Sequence, residues 1–522
     1  MQHATLTIDG NSLDIADVVA VARHMQPVTL AEPAREAMHR SYEWVSQAGN
    51  SDQAIYGVNT GFGSLARVRI PPENSALLSL NLVRSHAAGV GAPLPVDVTR
   101  ATMLLRANAL AKGVSGCRPL LVDTLLMMLN CGVTPIIPSQ GSCGSSGDLA
   151  PLAHLGLVMT EGDHGEARYR GQQMSATAAM QQAGIPRLKL QAKDGLAITN
   201  GAQITTAITA LACHDAQTLV LSAEIAAAMS IEALRGVTRA FHPAVHQLRA
   251  YRGARACAAN ICTLISGSEL LNSVPGKVQD AYSLRCSPQV LGAARDTIAF
   301  SSQQVTTELN SATDNPLILM DVETEDGNQA FSAGMFHGEP IGLAADTLKI
   351  AVAEIASISE RRLYRLTTGS LSARLPPALV GLDRPEIGLM LPHTTAAALV
   401  SENKALAWPA SVDSIPTCED QEDHVAMSTT AARRAATVVA NSQRVIAIEL
   451  LGAAAALAFR RQENPKLVLG TGSAVALKTV ERALQSVKDS LPGQQIEHLA
   501  ALIASGGLLD GMPPLIEVGE VP

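Results

Sequence analysis

The stretch Gly141–His154 reads GSCGSSGDLAPLAH, with small residues crowded up to Asp148 and Pro151 placed where a helix could begin. One reading is structural, a tight turn closed by Asp148 as a helix cap. The other is chemical. If the amide nitrogen of Gly147 attacks the carbonyl carbon of Ser145, the chain closes a five-membered ring, and glycine is the residue that permits so close an approach. Ser146 can then lose water from its side chain. The product is an exposed methylidene carbon conjugated to the ring, an electrophile that no unmodified side chain supplies. Composition alone leaves both readings open.

These residues need rigid elements to hold them. TLTI before Asp9 and Gly10 predicts a short strand and turn, and Ser12 to Arg23 a capped helix. Glycines in IYGVNTGFG, Ile55 to Gly63, make that segment a loop, as do the residues of GVGAPLPVD, 134–148 and Leu375 to Pro392. The other large blocks have helical patterning. Between Gly342 and Leu375, Ala344, Leu348, Val352, Ile355 and Ile358 recur at helical spacing. Thr429 to Glu463 carries a similar stripe through Val438, Val445, Ile448 and Leu451, and Ile204 to Leu234 is rich in alanine and leucine. Such spans are long for globular helices, and their alanines permit close packing. The fold class expected is mainly α, with a bundle of long helices at its centre.

With 522 residues, 47% apolar and only 16% charged, the chain has an unusually large share of side chains to hide in a core or between subunits. A homo-oligomer is expected. A formal charge of -8 and 3% aromatic residues offer little to phosphate backbones or to base stacking, so no nucleic-acid partner is expected. The most apolar stretch, Leu450 to Phe459, falls far short of the roughly twenty residues that span a bilayer and reads as a buried helix. No secretory signal pattern opens the sequence, and 8 cysteines without a CxxC pair show no disulfide framework or metal site. These features predict a cytoplasmic protein that uses neither a membrane nor a metal. The lack of a glycine-rich phosphate loop argues against a nucleotide cofactor.

The motif GSCGSSGDLAPLAH resembles the signature of the methylidene-imidazolone-dependent aromatic amino acid ammonia-lyase and aminomutase family. Further matches are YGVNTGFG at 56–63, NLVRSHAAGVG at 81–91, TNGAQ at 199–203, VQDAYSLRCSPQV at 278–290, TDNPL at 313–317, FHGEP at 336–340 and SVDSIPTCEDQEDHV at 411–425. Together they run through nearly the whole chain. The resemblance implies a 4-methylidene-imidazol-5-one formed autocatalytically from Ser145, Ser146 and Gly147. It also implies a prosthetic-group domain over residues 1–200, a long-helix bundle with a C-terminal helical region over 201–522, and a homotetramer with composite active sites.

Roles carried over from the matching motifs make Tyr56 the base for the substrate's β-proton. An ordinary phenol would cost about 4 kcal/mol to ionise at neutral pH. Asn200 is expected to donate to the prosthetic group's carbonyl, Tyr282 to hold the amine or its proton network, and Arg285 to clamp the substrate carboxylate, with Gln279 nearby. Phe336 is expected to wall the pocket, and Gly63 and Asp148 to support it. Ser85, His86 and Glu422 match the histidine-selective members, in which a carboxylate accepts from an imidazole nitrogen. An alternative has His86 and Glu422 satisfying each other structurally.

This sequence departs from the family pattern at Ser145, commonly alanine, at Met335, usually asparagine, and at Trp408, where histidine-selective members usually carry histidine. Cys418-Glu419-Asp420 replaces the more usual SAN. The expected activity is that of a carbon-nitrogen lyase which eliminates ammonia from L-histidine to give urocanate, a step of histidine catabolism. Phenylalanine or tyrosine ammonia-lyase, or an aromatic 2,3-aminomutase, are the enzymatic alternatives. An inactive tetrameric scaffold is the non-enzymatic one.

Overall fold

The computed structural model describes residues 4–49, 51, 53–61, 68–381 and 387–520. They divide into two units: Met1–Leu211 with Ser302–Asp346 and Pro409–Arg433, and Ala212–Ser301 with Thr347–Trp408 and Arg434–Pro522. The single cut at residue 200 read from the sequence does not describe the return of 302–346 and 409–433 to the first unit.

In the first unit, β1 (Leu6–Ile8) pairs in parallel with β2 (Val28–Leu30), with Leu6 opposite Val28. Between them runs α1 (Ile15–His24), which starts later than expected. Asp14, not Ser12, is its N-cap and forms a reciprocal capping box with Asp17. The Ser12 hydroxyl instead donates to Asp9. The elements α2 (Glu32–Ala48), α3 (Ser75–His86), α4 (Val96–Ala111) and α5 (Pro119–Cys131) follow, with β3 (Val90–Pro93) after α3. Helix α4 is buried almost all round, which its run of Ala101, Met103, Leu104, Ala107 and Leu110 requires. Even its Arg100 is buried, and the guanidinium donates to the carbonyls of Val21 and Leu129 in the last turns of α1 and α5.

Strands β4 (Thr134–Pro135), β6 (Glu166–Tyr169) and β7 (Gln172–Ser175) form an antiparallel sheet, while β5 (Pro138–Gln140) pairs antiparallel with β3. Two segments read as loops therefore contain short strands. The pair β8 (Leu317–Ile318) and β9 (Ala330–Phe331) is also antiparallel. Helices α6 (Leu149–Met159), α7 (Ala176–Gln182) and α8 (Asp194–Thr199) precede the long α9 (Gln203–Ala233).

The second unit holds α10 (Pro243–Gln247), α11 (Arg252–Leu264), α12 (Tyr282–Arg285), α15 (Met390–Leu406), α17 (Thr471–Ser486) and α18 (Pro492–Ala504). Four long helices give residues to both units: α9, α13 (Ser287–Leu309), α14 (Glu339–Thr367) and α16 (Ser428–Glu463). Fold class and long helices agree with the sequence reading, although α14 ends at Thr367 rather than near 375. Within the second unit, buried Glu449 takes both oxygens to Arg362, at 2.6 and 2.7 Å, and accepts from Ser230 and Ser359. Partners on every side keep this buried charge from being a large penalty. Among the described residues α16 alone is long and apolar enough to cross a membrane, well beyond the ten-residue stretch singled out in the sequence, and most of that span is buried inside the protein.

Candidate active site

The segment 142–148 is held from several sides within the first unit. Asp148 occupies the N-cap position of α6, yet its side chain makes no cap bond there. Its carboxylate instead accepts from Ser142 Oγ at 2.8 Å, Thr429 Oγ1 at 2.7 Å, and the backbone and hydroxyl of Thr205 at 2.8 and 3.1 Å. Thr205 lies in the first turn of α9, so the carboxylate caps that helix from across the fold. Burial pushes the Asp148 carboxyl upward, with these donors opposing the shift.

Gly147 has φ +71° and lies against Gly201, where a Cβ would come within 2.2 Å of the Gly201 backbone. No other residue fits without moving the chain. The Gly201 amide faces the Ser146 carbonyl at 3.4 Å, and Asp148 N–H donates to the Gly201 carbonyl at 2.7 Å. Gly144, at φ +70°, is similarly confined by Ser428. Ser145, Ser146 and Gly147 thus form a sharply turned, fastened loop, and the cradle at Gly147 fits the ring proposed for these residues.

Above this loop lies a cavity of about 720 Å³, lined by Tyr56, His86, Ser145, Ser146, Asn200, Phe336 and Glu422 among others. A smaller cavity of about 230 Å³ beside Tyr42 and Gln191 has no carboxylate or imidazole along its described lining. In the larger one, Glu422 receives three hydroxyls. Ser146 Oγ donates to Oε1 at 2.6 Å, while Ser145 Oγ and Thr417 Oγ1 donate to Oε2 at 2.8 and 2.7 Å. Burial would raise the Glu422 carboxyl, but the hydroxyls of Ser146, Thr417 and Ser145, with His86 nearby, hold it below its ordinary range. Burial depresses His86, against the pull of Glu422. Both shifts favour a charged carboxylate beside an uncharged imidazole. His86 Nδ1 has its contact with Ser85 Oγ at 3.0 Å, and the attraction between the imidazole and Glu422 acts through charge.

Asn200 lines the cavity, but its amide nitrogen faces Asp314 Oδ1 at 3.1 Å and the Asn315 carbonyl at 3.4 Å. The group that meets the Ser146 carbonyl is the next backbone amide, Gly201. Ser85 is exposed and supports His86 from behind without lining the cavity. Gln279, Tyr282 and Arg285 belong to the second unit and are not part of the cavity lining. There Tyr282 is 70% exposed, its ring 4.6 Å from the Arg285 guanidinium. Gly63 lies outside the described residues.

Several site residues were not singled out from sequence. Thr417 pairs with Glu422 across Cys418, Glu419 and Asp420, which all have positive φ, at 53°, 53° and 61°. Nothing in the residue types announces a left-handed turn there. His337 and His424 also line the cavity with rings stacked at 5.5 Å. Their signal was present, since both sit in matched motifs. Among the described residues no cluster of His, Cys, Asp or Glu is arranged to hold a metal ion.

A sequence model of the aromatic amino acid lyase family matches residues 13–484. The chain is 46% identical over 510 residues to a histidine ammonia-lyase of Gloeobacter violaceus, covering 97% of each. Its fold resembles the crystal structure of histidine ammonia-lyase from Trypanosoma cruzi with a TM-score of 0.87 and 37% identity, covering 97% of this chain and 94% of that one. It also resembles a tyrosine aminomutase from Streptomyces globisporus, with a TM-score of 0.88 and 32% identity over 97% and 98% of the two chains.

Proposed function

This chain belongs to the aromatic amino acid lyase family, and on that premise we propose that it eliminates ammonia from L-histidine to give urocanate. The observation that carries this reading is the convergence on one cavity of Ser146, Tyr56, His86 and Glu422, whose carboxylate accepts from three hydroxyls. The reaction breaks the substrate's α-carbon–nitrogen bond and one β-carbon–hydrogen bond, forms a carbon–carbon double bond and is redox-neutral. Its full likeness to histidine ammonia-lyases over almost the whole chain supports the choice of substrate.

The residues Ser145, Ser146 and Gly147 would hold a methylidene-imidazolone made from themselves. Gly147 nitrogen bonds to the Ser145 carbonyl carbon with loss of one water, and Ser146 loses its hydroxyl and α-hydrogen as a second. When formed, that group supplies an electrophilic carbon that turns the substrate's amine into a leaving group. Gly201 N–H is placed to stabilise negative charge on the Ser146 carbonyl oxygen. Asp148, with four donors of its own, keeps the loop in place and does not carry protons.

Tyr56 is the base for the β-proton, and Phe336 packs against the substrate ring. Glu422 accepts from the imidazole N–H, a charge-assisted hydrogen bond that a phenyl ring cannot return. Arg285 clamps the carboxylate with Gln279 and Tyr282 beside it, supplied by a neighbouring copy in a homotetramer; the exposure of Tyr282 supports this placement. The likeness to an aminomutase makes product identity part of the test. Ammonia equal to substrate consumed supports the lyase, and a β-amino acid supports the mutase.

Intact-mass measurement tests the self-made electrophile. The purified chain should weigh less than its sequence by two water molecules. Ser146→Ala should lack the second loss and fall in activity by several powers of ten while remaining assembled. Full unmodified mass in an active wild-type preparation, or near-normal turnover by homogeneous S146A, contradicts the assignment.

A further inference from the structure

The three hydroxyls on Glu422 are divided unequally. Oε1 has one, from Ser146, while Oε2 has two, from Ser145 and Thr417. Ring formation treats these donors differently. Cyclisation uses the backbone carbonyl of Ser145, whose oxygen leaves with the amide hydrogens of Ser146 and Gly147 as water. Dehydration removes the Ser146 hydroxyl with its α-hydrogen. No oxidant or reductant enters, and the Ser145 hydroxymethyl is untouched. Processing therefore strips Oε1 of its partner and leaves both partners on Oε2.

We propose that Ser145 is a positioning residue for substrate recognition: with Thr417 it fastens Oε2 of Glu422, so that Oε1, vacated when Ser146 is dehydrated, is presented to the imidazole N–H of the substrate. This rests on the histidine-eliminating function proposed above. A glutamate side chain has three rotatable bonds, and a carboxylate anchored through one oxygen gives up little further freedom when the other binds. The backbone completes the clasp. Thr417 and Glu422 pair through N–H to carbonyl bonds of 3.0 and 3.3 Å in both directions, closing the turn at Cys418, Glu419 and Asp420. Ser145 itself is 9% exposed, so water competes little for its hydroxyl. The same placement gives a purpose to a serine where ring chemistry needs only a backbone carbonyl. It also makes the site order its own readiness, because the carboxylate oxygen that reads the substrate is occupied until the electrophile exists.

The test uses full-length chains that cannot form the methylidene. Ser146→Ala removes the hydroxyl from Oε1 and so mimics the vacated acceptor without turnover. Calorimetric binding of L-histidine and L-phenylalanine is compared for S146A, S145A/S146A and S145T/S146A. L-Histidine should bind S145A/S146A roughly tenfold more weakly than S146A, S145T should restore binding, and L-phenylalanine should bind all three alike. In the single variant S145A, the mass loss of two waters should persist while KM for L-histidine rises more than kcat falls. Equal L-histidine binding with and without the Ser145 hydroxyl overturns the positioning role. So does an equal loss for both amino acids, failure of S145T to restore binding, or an S145A chain of unprocessed mass, which would assign Ser145 to ring formation. A preference of S146A for L-phenylalanine instead overturns the functional reading on which the proposal rests.

Discussion

Tyr56 reaches the cavity from a loop, and removing its single phenolic oxygen separates proton removal from everything the ring does as a packed surface. Tyr56→Phe should retain the mass loss of two waters and the fold, but turn over about 10²–10⁴ more slowly. Mass spectrometry with initial rates checks both halves; normal turnover would remove Tyr56 from the chemistry. The residue types at this scale were well marked in sequence. Tyr56, His86, Ser145, Ser146, Asn200, Phe336 and Glu422 all line one cavity. What could not be read was which partner each polar atom takes. The Asn200 amide is engaged by Asp314 and Asn315, and Glu422 is fastened by hydroxyls distant in sequence. Such pairings depend on ångström-scale placement, and residue identity carries no record of them.

Elements meet beneath the reacting loop, where α6 begins at Asp148 and α9 receives the Asp148 carboxylate at its first turn. Glu308 on α13 lies close enough to feel that charge, and burial with the nearby Asp148 pushes its carboxyl from 4.5 up to about 7. A carboxyl raised on folding keeps its proton more tightly in the native state. Its contribution to stability is therefore present below the unfolded value of 4.5 and is lost as pH rises to about 7. Glu308→Gln should abolish that part of the pH dependence, so that between about pH 5 and pH 7.5 the variant loses less stability than wild type, by on the order of 1–3 kcal/mol. Denaturation curves at the two pH values measure it, and parallel losses would refute the assignment. Helix existence was legible from apolar spacing at Ala344, Leu348, Val352 and Ile355, but helix ends were not. Ser12 is spent on Asp9 while Asp14 caps α1, and α14 stops at Thr367 although no proline forces it to. Both outcomes turn on local hydrogen bonding that several residues could have supplied.

At the scale of the molecule, large apolar side chains remain exposed on the single chain, among them Leu248 at 90%, Val278 at 88% and Trp408 at 72%. Together with the apolar composition they support the homotetramer proposed above. If sites are composite, Tyr56→Phe and Arg285→Ala chains, each nearly inactive alone, should regain a measurable fraction of activity when assembled together, because some sites in the mixture then carry neither change. No recovery in verified mixed assemblies would place both residues in one chain's site. The whole-chain motif pattern made the family legible, whereas the return of 302–346 and 409–433 to the first unit was not, since long-range packing leaves no local pattern. In the function proposed above, this cavity selects an imidazole through Glu422 and expels ammonia. The most direct measurement of that selection is kcat/KM for ammonia release from L-histidine and L-phenylalanine, in wild type and in Glu422→Gln. Wild type should favour L-histidine, and E422Q should narrow the preference by about 1–3 kcal/mol; a wild-type preference for L-phenylalanine, or an E422Q enzyme with undiminished selectivity, would contradict this selection.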